Sequence, residues 1–367
     1  MTTPPTRTRV LLLDLGAHYG GVENYLVNLA SLVGTDIDLY ALCVLPELAA
    51  RLQSLGVIVV CIPKCPGMLK PMRFLLATPV LLWMILRFGI DSVQLNGLLE
   101  SALIVPTRLL GRRAIYTRHG PFELDYYSPL RQPHKYLPRW IARTCVRIAS
   151  HTVCVSQAVS ESVRPLLPRQ RFSVIPNWVS SHLPSRIQKG HEEMTEVLCL
   201  SRLERYKGIH LLLEATRSLQ NIRVTIAGDG SYRQALEAQA AGRNDVRFLG
   251  FVHDTDWLYT QADIVIVPSM GPEGLPMSSL EAMARGIPCI FSDLPVHREI
   301  SDDGAGAKLF RSGNIEELRI ALEELLRSKD TRRDVAQQGY RIVQFRYTDV
   351  CVRSAYVSVF AAAGGTR

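Results

Sequence analysis

Two glutamates eight residues apart, Glu273 and Glu281, are the sequence feature that most suggests chemistry. They follow the apolar run Ile264–Pro268, which predicts a buried strand, and Glu281 lies in a helix expected to begin near Pro276–Ser279. The first N–H groups of a helix have no intrahelical acceptor and favour an anion. The spacing therefore predicts carboxylates beside an anion site.

Arg202 and Lys207 could bind the anionic part of a ligand. Both follow the predicted strand Val197–Leu200, and a guanidinium offers a planar fork suited to bidentate phosphate binding. Surface cations of this kind are also common without any ligand. The Gly228-Asp-Gly230 turn after the next predicted strand is weaker evidence, and we interpret it as the entry to a helix.

Three further residues of the first half follow predicted strands. Gly20 and Gly21 come between the strand Val10–Leu13 and a helix, where glycines let backbone N–H groups approach a phosphate; an ordinary tight turn is the alternative. The spacing is not that of the dinucleotide-binding fingerprint. His119 on its own is an ordinary histidine at a strand end.

The sequence does not predict a metal site. Asp254-Thr-Asp256 precedes a short helix and is interpreted as its N-terminal cap, and Asp36-Ile-Asp38 lies at a strand edge. Cys61 and Cys65 lack a second Cys/His pair. The eight cysteines have no regular spacing, so we expect buried thiols in a reducing compartment.

The elements that position these residues alternate between short apolar runs and longer helical patterns, as in parallel sheets covered by helices. The predicted strands are Val10–Leu13, Ile37–Leu42, Val57–Ile62, Ser92–Leu95, Ala114–Thr117, Thr152–Val155, Val197–Leu200, Arg223–Ala227, Val246–Leu249, Ile264–Pro268 and Pro288–Phe291. The length of 367 residues suggests two domains. We predict an α/β fold of two doubly wound, Rossmann-like domains facing a central cleft. The first domain is residues 1–180, the linker 181–195 and the second domain 196–346, with a helix over 347–367 packing back on the first.

The net charge of +8 lies entirely in the first half. Residues 1–180 carry 19 Lys+Arg against 10 Asp+Glu, whereas residues 181–367 carry 23 against 24. The densest basic stretch is 108–147. This asymmetry suggests contact with something anionic, such as phosphate, a membrane surface or nucleic acid; a solvated basic face is the alternative.

No segment predicts a membrane-spanning helix. The N-terminal run Val10–Leu13 is too short for a signal-peptide core, and Phe74–Ile85 falls short of the about 20 apolar residues that a span requires. We expect a cytoplasmic protein. Because Lys64, Lys70 and Arg73 flank Phe74–Ile85, adsorption to an anionic membrane is one expectation, and a buried helix is the other.

Several short motifs occur in one order along nearly the whole chain. They are Gly20-Gly-Val-Glu23, His119-Gly120, Val155-Ser156, Ile175-Pro-Asn177, Ser201-Arg-Leu203, Lys207-Gly208, Ala227-Gly-Asp-Gly230, Phe248-Leu-Gly250, Tyr259, Ala262-Asp-Ile264, Pro268-Ser269 and Glu273 to Pro288. Each is moderately specific, and the ordered set is strongly so. In this set the chain resembles the family-4 retaining glycosyltransferases of the GT-B fold.

The resemblance implies roles in the second domain. Arg202 and Lys207 match cations that hold a nucleotide diphosphate. Glu273 matches a glutamate associated with the sugar hydroxyls and the reacting centre, and Glu281 matches one that binds the ribose hydroxyls. Donor contacts are also expected at the loop residues Gly274, Leu275 and Met277.

In the first domain, the resemblance implies that Gly20 and Gly21 belong to a loop that closes over the donor, and that His119 reaches toward the donor sugar. Two positions depart from the family pattern. Leu294–Glu299 lacks a glycine pair that many members have, and Trp178 stands where a glycine is frequent. Contacts of the 294–299 loop are therefore expected to differ from the family pattern, and no role is assigned to Trp178.

The resemblance implies a retaining hexosyltransferase without a cofactor. We expect no metal requirement, because the cations and the helix end can neutralise the leaving group. The enzyme would move a sugar from a nucleotide-diphosphate donor to a glycan or lipid-linked acceptor in cell-surface polysaccharide or glycolipid synthesis, at the cytoplasmic side of the membrane. A nucleotide-sugar epimerase of the same fold is the first alternative, and the basic first domain favours an acceptor over it. A non-catalytic nucleic-acid-binding or scaffold protein is the second, but the aromatic and basic pattern of single-strand binders is absent.

Overall fold

The fold is taken from a computed structural model, which describes residues 7–16, 19–62, 70–97, 100–121, 144–166, 172–183 and 194–361. The chain forms two compact units. The first consists of Met1–Asn177 with Val352–Arg367, and the second of Trp178–Cys351.

The first unit is built on a seven-stranded parallel sheet of order β3-β2-β1-β4-β5-β6-β7. Its strands are β1 Arg9–Asp14, β2 Asp38–Cys43, β3 Ile58–Cys61, β4 Ser92–Leu95, β5 Arg113–Arg118, β6 His151–Cys154 and β7 Phe172–Val174, and its helices are α1 Gly21–Val33, α2 Pro46–Ser54, α3 Lys70–Phe88, α4 Ile104–Leu109 and α5 Gln157–Val163. Val10 to Leu13 are at most 1% exposed, because helices cover both faces of the central strand.

The second unit is built on a six-stranded parallel sheet of order β10-β9-β8-β11-β12-β13. Its strands are β8 Thr195–Leu200, β9 Ile222–Ala227, β10 Val246–Gly250, β11 Ile264–Val267, β12 Cys289–Ser292 and β13 Lys308–Phe310; its helices are α6 Ile209–Ala215, α7 Arg233–Gln239, α8 Asp256–Gln261, α9 Met277–Ala284, α10 Pro295–Ser301, α11 Ile315–Arg327 and α12 Lys329–Arg346. The predicted class of two doubly wound α/β domains is confirmed.

Each sheet has one point where the strand order reverses. β1 lies between β2 and β4, and β8 lies between β9 and β11. In open α/β sheets ligands bind at the carboxyl ends of the strands near such a point. The loops after β1, β4 and β5 in the first unit, and after β8, β11 and β12 in the second, are therefore where functional side chains are expected.

The last helix, α13 (Asp349–Ala361), packs mostly on the first unit. Tyr356 Oη accepts a hydrogen bond of 3.1 Å from Tyr25 Oη, and Arg113 donates to the Val359 carbonyl oxygen at 3.0 Å. The boundary between the units falls after Asn177, before the linker expected at 181–195. Most of that range lies outside the described residues, and β8 already begins at Thr195.

The predicted helix Arg139–Ile148 and the basic stretch 108–147 fall partly outside the described residues, as do Lys64 and Cys65. Within the described part of the chain, the helices are all too short or too polar to cross a membrane.

The seven described cysteines are all free thiols, and two of them, Cys61 and Cys351, are exposed. Cys61 lies on edge strand β3, and Cys351 lies in the first turn of α13. The expectation of buried thiols was wrong for these two.

Candidate active site

Lys207 and Glu273 form a buried ion pair in the second unit. Lys207 Nζ lies 2.5 Å from Glu273 Oε1, and the two side chains are 13% and 9% exposed. Ser269 Oγ donates to the same carboxylate oxygen at 2.6 Å. Sixty-six residues separate the ion-paired side chains in sequence, and the parallel neighbours β8 and β11 bring them together.

A glycine makes this approach possible. Lys207 ends a 3-10 turn, Arg205–Lys207, and the next residue, Gly208, has a φ of +69°. A Cβ atom at Gly208 would lie 1.9 Å from the Pro268 carbonyl oxygen at the end of β11. No side chain fits there, so the Lys207-Gly208 motif lets the two loops pack backbone to backbone.

The ion pair sets the charge of Glu273. Burial alone would raise the pKa of the Glu273 carboxyl, but the Lys207 charge and the hydrogen bonds from Lys207 and Ser269 outweigh it and hold the pKa below its usual value. Glu273 is therefore a carboxylate at neutral pH. Both hydrogen bonds reach Oε1, which leaves Oε2 without one from the described residues.

Glu281 lies on α9 and belongs to a separate cluster. Tyr259 Oη donates to Glu281 Oε2 at 2.7 Å, and the Arg285 guanidinium lies 4.6 Å from the Tyr259 ring centroid. Burial raises the pKa of Glu281, while Tyr259 and Arg285 oppose the rise. These contacts fix one carboxylate oxygen of Glu281 and leave the other for a ligand.

The predicted donor-binding residues of the second unit lie in two places, the start of α9 and the loop after β8. Gly274 and Leu275 precede Pro276, the N-cap of α9, and Met277 is the first residue of that helix. Arg202 is exposed, and its Nη2 donates to Tyr206 Oη at 2.6 Å. Arg202 and Lys207 thus share a loop, but only Lys207 contacts Glu273.

The Gly228-Asp-Gly230 turn has a packing role that the sequence did not predict. A Cβ atom at Gly228 would lie 1.9 Å from the Ser201 carbonyl oxygen, and one at Gly230 would lie 2.5 Å from that of Leu203. The Leu203 N–H also donates to the Asp229 carbonyl oxygen at 2.9 Å. The turn therefore supports the Arg202 loop, and α7 begins only at Arg233.

The side chains of Asp254 and Asp256 both contact groups of the protein itself. Asp254 Oδ1 accepts from the Asp256 N–H at 3.0 Å, and Asp256 pairs with Arg285. The N-cap of α8 is Thr255 and it has no side-chain capping hydrogen bond, so the predicted capping by this aspartate pair was wrong. In the described parts of the chain, no group of three His, Cys, Asp or Glu side chains is placed to hold a metal ion.

Sequence reasoning missed a hydrogen-bonded chain behind Glu273. His297 Nδ1 lies 2.9 Å from the Ser292 carbonyl oxygen, and Ser292 Oγ donates to the Ser269 carbonyl oxygen at 2.6 Å. Burial lowers the pKa of His297 to about 4. The available signal was the 294–299 segment itself, whose departure from the family pattern places a histidine after β12.

In the first unit, Gly20 is the N-cap of α1 and Gly21 its first residue. Glu23, in the first turn, lies beside buried Asp14, and Glu100 Oε1 accepts from the Leu15 N–H at 2.8 Å. Burial, reinforced by the Asp14 charge, raises the pKa of Glu23 to about 7 and that of Glu100 to about 8. These three carboxyl groups were not predicted as a cluster.

His119 follows β5 and is partly exposed. Its Nε2 atom lies 3.1 Å from Asn96 Oδ1, and its ring packs edge-on against Tyr25 with the ring centroids 4.6 Å apart. Burial, with a smaller effect of Arg118, lowers the pKa of His119 to about 3. The imidazole is therefore neutral at physiological pH.

Two family models match adjoining parts of the chain. Residues 19–183 match Glycosyltransferase Family 4, and residues 185–342 match Glycosyl transferases group 1. The chain belongs to the family-4 glycosyltransferases of the GT-B fold, and the predicted family is confirmed.

Two curated relatives are similar to part of the chain at 24–33% identity. The chain is 33% identical over 172 residues to a phosphatidyl-myo-inositol mannosyltransferase of Mycobacterium leprae, covering 45% of this chain and 46% of the relative. It is 24% identical over 219 residues to the lipopolysaccharide core biosynthesis glycosyltransferase LpsE of Rhizobium meliloti, covering 57% and 64%. The matched segments thus span about half to two thirds of these relatives.

Solved structures agree on the fold. Anabaena HepE, crystallised in complex with UDP and glucose, superposes with a TM-score of 0.83 at 20% identity, covering 97% of this chain and 100% of that one. WaaG, a glycosyltransferase involved in lipopolysaccharide biosynthesis, gives 0.74 at 14% identity, covering 97% and 100%. The chain therefore has the GT-B fold.

Proposed function

We propose that the protein is a retaining, metal-independent hexosyltransferase that moves a sugar from a nucleotide diphosphate to a glycan or lipid-linked acceptor. The observation that carries the proposal is the buried Lys207–Glu273 pair at the carboxyl ends of β8 and β11. It provides a cation and a carboxylate within one hydrogen bond of each other, at the place in the sheet where ligands bind.

The charges of Lys207 and Glu273 are opposite to the charges that develop on the leaving phosphate and on the sugar during transfer. When the bond between the sugar and the diphosphate breaks, negative charge grows on the leaving phosphate and positive charge on the anomeric carbon. Lys207 uses one of its three N–H donors for Glu273 and keeps the others for a phosphate oxygen. The N–H groups that begin α9 add further stabilisation, so the leaving group needs no metal ion or cofactor.

Glu273 would stabilise the positive charge. Its carboxylate stays ionised because of Lys207 and Ser269, and Oε2 accepts no hydrogen bond from the described residues. Glu281, anchored through Oε2 by Tyr259, would accept from the ribose hydroxyls with its other oxygen. Arg202, exposed in the neighbouring loop, would bind the diphosphate.

The donor class and pathway are part of the proposal. The UDP and glucose bound to HepE make UDP-sugars the first candidates, and LpsE and the mycobacterial mannosyltransferase, whose names place them on lipopolysaccharide and phosphatidylinositol, suggest a cell-surface polysaccharide or glycolipid product. In the first unit, Gly20 and Gly21 would contact the donor, and His119 would contact its sugar.

Radiolabelled sugar transfer from UDP-, GDP- and ADP-sugars to a membrane lipid extract and to an oligosaccharide mixture tests the proposal. Run in EDTA, the assay should give labelled product from one donor, with the donor's anomeric configuration retained in the new linkage. Activity lost in EDTA and restored by Mg²⁺ would contradict metal independence. Epimerised nucleotide sugar without acceptor labelling would indicate the epimerase instead.

We also propose that the protein works at the cytoplasmic face of a membrane. One side of α3 is buried through Ala77, Leu81 and Ile85. The other side exposes large apolar side chains to solvent, namely Leu75 at 73%, Leu76 at 44%, Trp83 at 51% and Leu86 at 69%. An exposed apolar helix face on a basic domain suits adsorption to an anionic leaflet.

A further inference from the structure

Asn96 and His119 follow the neighbouring strands β4 and β5, and one hydrogen bond joins their side chains. His119 Nε2 lies 3.1 Å from Asn96 Oδ1. On its other side, Asn96 Nδ2 donates to the Leu13 carbonyl oxygen, in β1, at 3.2 Å. Asn96 is 5% exposed, so neither contact is readily exchanged for water.

The carbonyl of Leu13 determines which way the Asn96 amide points. A carbonyl oxygen can only accept, so it must meet the NH₂ group, and the amide oxygen must then face His119. The reversed amide would place two acceptors against each other at Leu13. Because Oδ1 of Asn96 also only accepts, Nε2 of His119 must carry the proton.

The His119 ring is held in place by its other neighbours. The Tyr25 ring meets it edge-on, and Tyr25 Oη accepts from Gln94 Nε2 at 2.8 Å and donates to Tyr356 Oη at 3.1 Å. Burial keeps the imidazole neutral, and so does the Arg118 charge next to it. A neutral imidazole with a proton on Nε2 has a lone pair on Nδ1. Among the described residues, the Asn96 contact is the one hydrogen bond of His119.

We propose that Asn96 is a positioning residue that locks His119 in the Nε2-protonated tautomer, so that Nδ1 accepts a hydrogen bond from a hydroxyl group of the donor sugar. This inference rests on the proposed function. His119 would then accept a hydrogen bond from the donor sugar and so orient it, and it would not deliver a proton. Neither residue alone predicts this, because the tautomer follows from the Leu13–Asn96–His119 chain.

The tautomer can be measured on the unaltered protein. Long-range ¹H–¹⁵N spectra of protein labelled in its nine histidines, with the His119 signals assigned by their loss in His119→Gln, distinguish the two ring nitrogens. We expect protonated Nε2 and unprotonated Nδ1 at pH 7. A proton on Nδ1, with or without one on Nε2, would overturn the inference. The spectra need no activity, so this result is independent of whether the proposed transfer is found.

Asn96→Asp supplies a functional readout. It keeps the acceptor toward His119 and gives up the N–H donor to Leu13. As a carboxylate it adds a charge that should move the pKa of His119 up toward its ordinary value of about 6.5. Protonated Nδ1 could no longer accept, so the transfer rate should fall about tenfold per pH unit below the new pKa. The other titratable or charged groups near Asn96 and His119 are Arg118, the neutral Tyr25 phenol and Glu100, which lies next to Gly97.

Asn314→Asp is the matched control, because Asn314 caps α11 in the second unit and its substitution makes the same charge change. It should keep the pH profile of the unaltered protein. If Asn96→Asp shows that same profile while its His119 titrates near neutral pH, the acceptor role of Nδ1 is wrong. If sugar transfer is found but His119 is not in the Nε2-protonated tautomer, the proposed function stands and this inference fails.

Discussion

At the scale of single residues, the Lys207–Glu273 pair determines what each partner can do. The pair holds Glu273 ionised, and Glu273 holds Lys207 at the end of β11. Removing one partner of a buried ion pair typically costs about 3–5 kcal/mol, because the other charge is left uncompensated. Variants of this pair must therefore be compared with a variant in which both charges are removed.

Lys207→Met should weaken binding of the free nucleoside diphosphate, because it removes the cation that would contact the phosphates. A charged hydrogen bond contributes about 1.5–3 kcal/mol, which corresponds to a loss of roughly 10- to 150-fold in affinity. Titration calorimetry with UDP, or with the diphosphate of whichever donor is active, measures it. Lys308→Met is the control, since Lys308 is only partly buried and pairs with Glu324, far from Glu273 in sequence. Equal affinity in Lys207→Met and the control would rule out this role.

Glu23 should make the stability of the first unit depend on pH. Its pKa is raised to about 7 by burial and by Asp14, whereas an unfolded glutamate titrates near 4.5. The folded state therefore binds a proton that the unfolded state loses, and stability falls as pH rises from about 4.5 to 7. Glu23→Gln should match the unaltered protein in urea unfolding at pH 5 and exceed it at pH 8. Glu161→Gln, exposed on α5, should show no gain at pH 8; a gain equal to that of Glu23→Gln would refute the assignment.

At the scale of elements, loops at the carboxyl ends of parallel strands hold the functional side chains. Glycines at 208 and 228 allow neighbouring loops to touch backbone to backbone, and each has a positive φ that a side chain would strain. The chemistry of the second unit depends on that contact, because the loop ending in Gly208 presents Lys207 to Glu273.

The exposed side of α3 gives an element-scale prediction. Leu75→Ser with Leu86→Ser should reduce sedimentation with vesicles containing phosphatidylglycerol, because each substitution removes an apolar side chain that would enter the leaflet. Binding of the unaltered protein should fall with added salt, since each Lys or Arg near an anionic surface contributes about 1 kcal/mol. Phe345→Ser, 81% exposed on the second unit, is the control. Equal sedimentation of both variants, or equal binding to neutral vesicles, would leave α3 without a membrane role.

Sequence patterns predicted most strands because central strands of a parallel sheet are continuously apolar. Ser92–Leu95 matches β4, and Val10–Leu13 lies within β1. β7 and β13 were missed: each has three residues, five of the six only partly buried, so neither has an apolar run. An edge strand of this kind pairs through its backbone, which leaves little trace in sequence.

For the site, the sequence indicated which side chains to consider but not how they meet. Lys207 and Glu273 were separate candidates, and their ion pair follows only from strand order. Asp14, Glu100, Ser269 and His297 were not predicted, because an isolated carboxylate, hydroxyl or imidazole has no distinctive spacing. Their importance arises from contacts across the sheet, such as the Leu15 N–H with Glu100.

At the scale of the whole molecule, the two units differ in charge and in chemistry. The first half carries the whole positive excess, the buried carboxyl groups and the neutral His119, and the second holds the Lys207–Glu273 pair and Glu281. Each unit matches one of the two glycosyltransferase family models. The central claim is that Glu273 stabilises the reacting sugar during transfer.

Initial rates of sugar transfer by Glu273→Gln test that claim most directly. Glutamine keeps the size of the side chain but removes the charge, and Glu273→Gln combined with Lys207→Met removes the uncompensated lysine and so controls for folding. Glu237→Gln, exposed on α7, controls for the substitution itself. We predict that Glu273→Gln loses at least about 100-fold in kcat, as when one stabilising group of a reacting centre is removed, and that the double variant regains stability but not turnover. Turnover by Glu273→Gln close to that of Glu237→Gln would contradict the account.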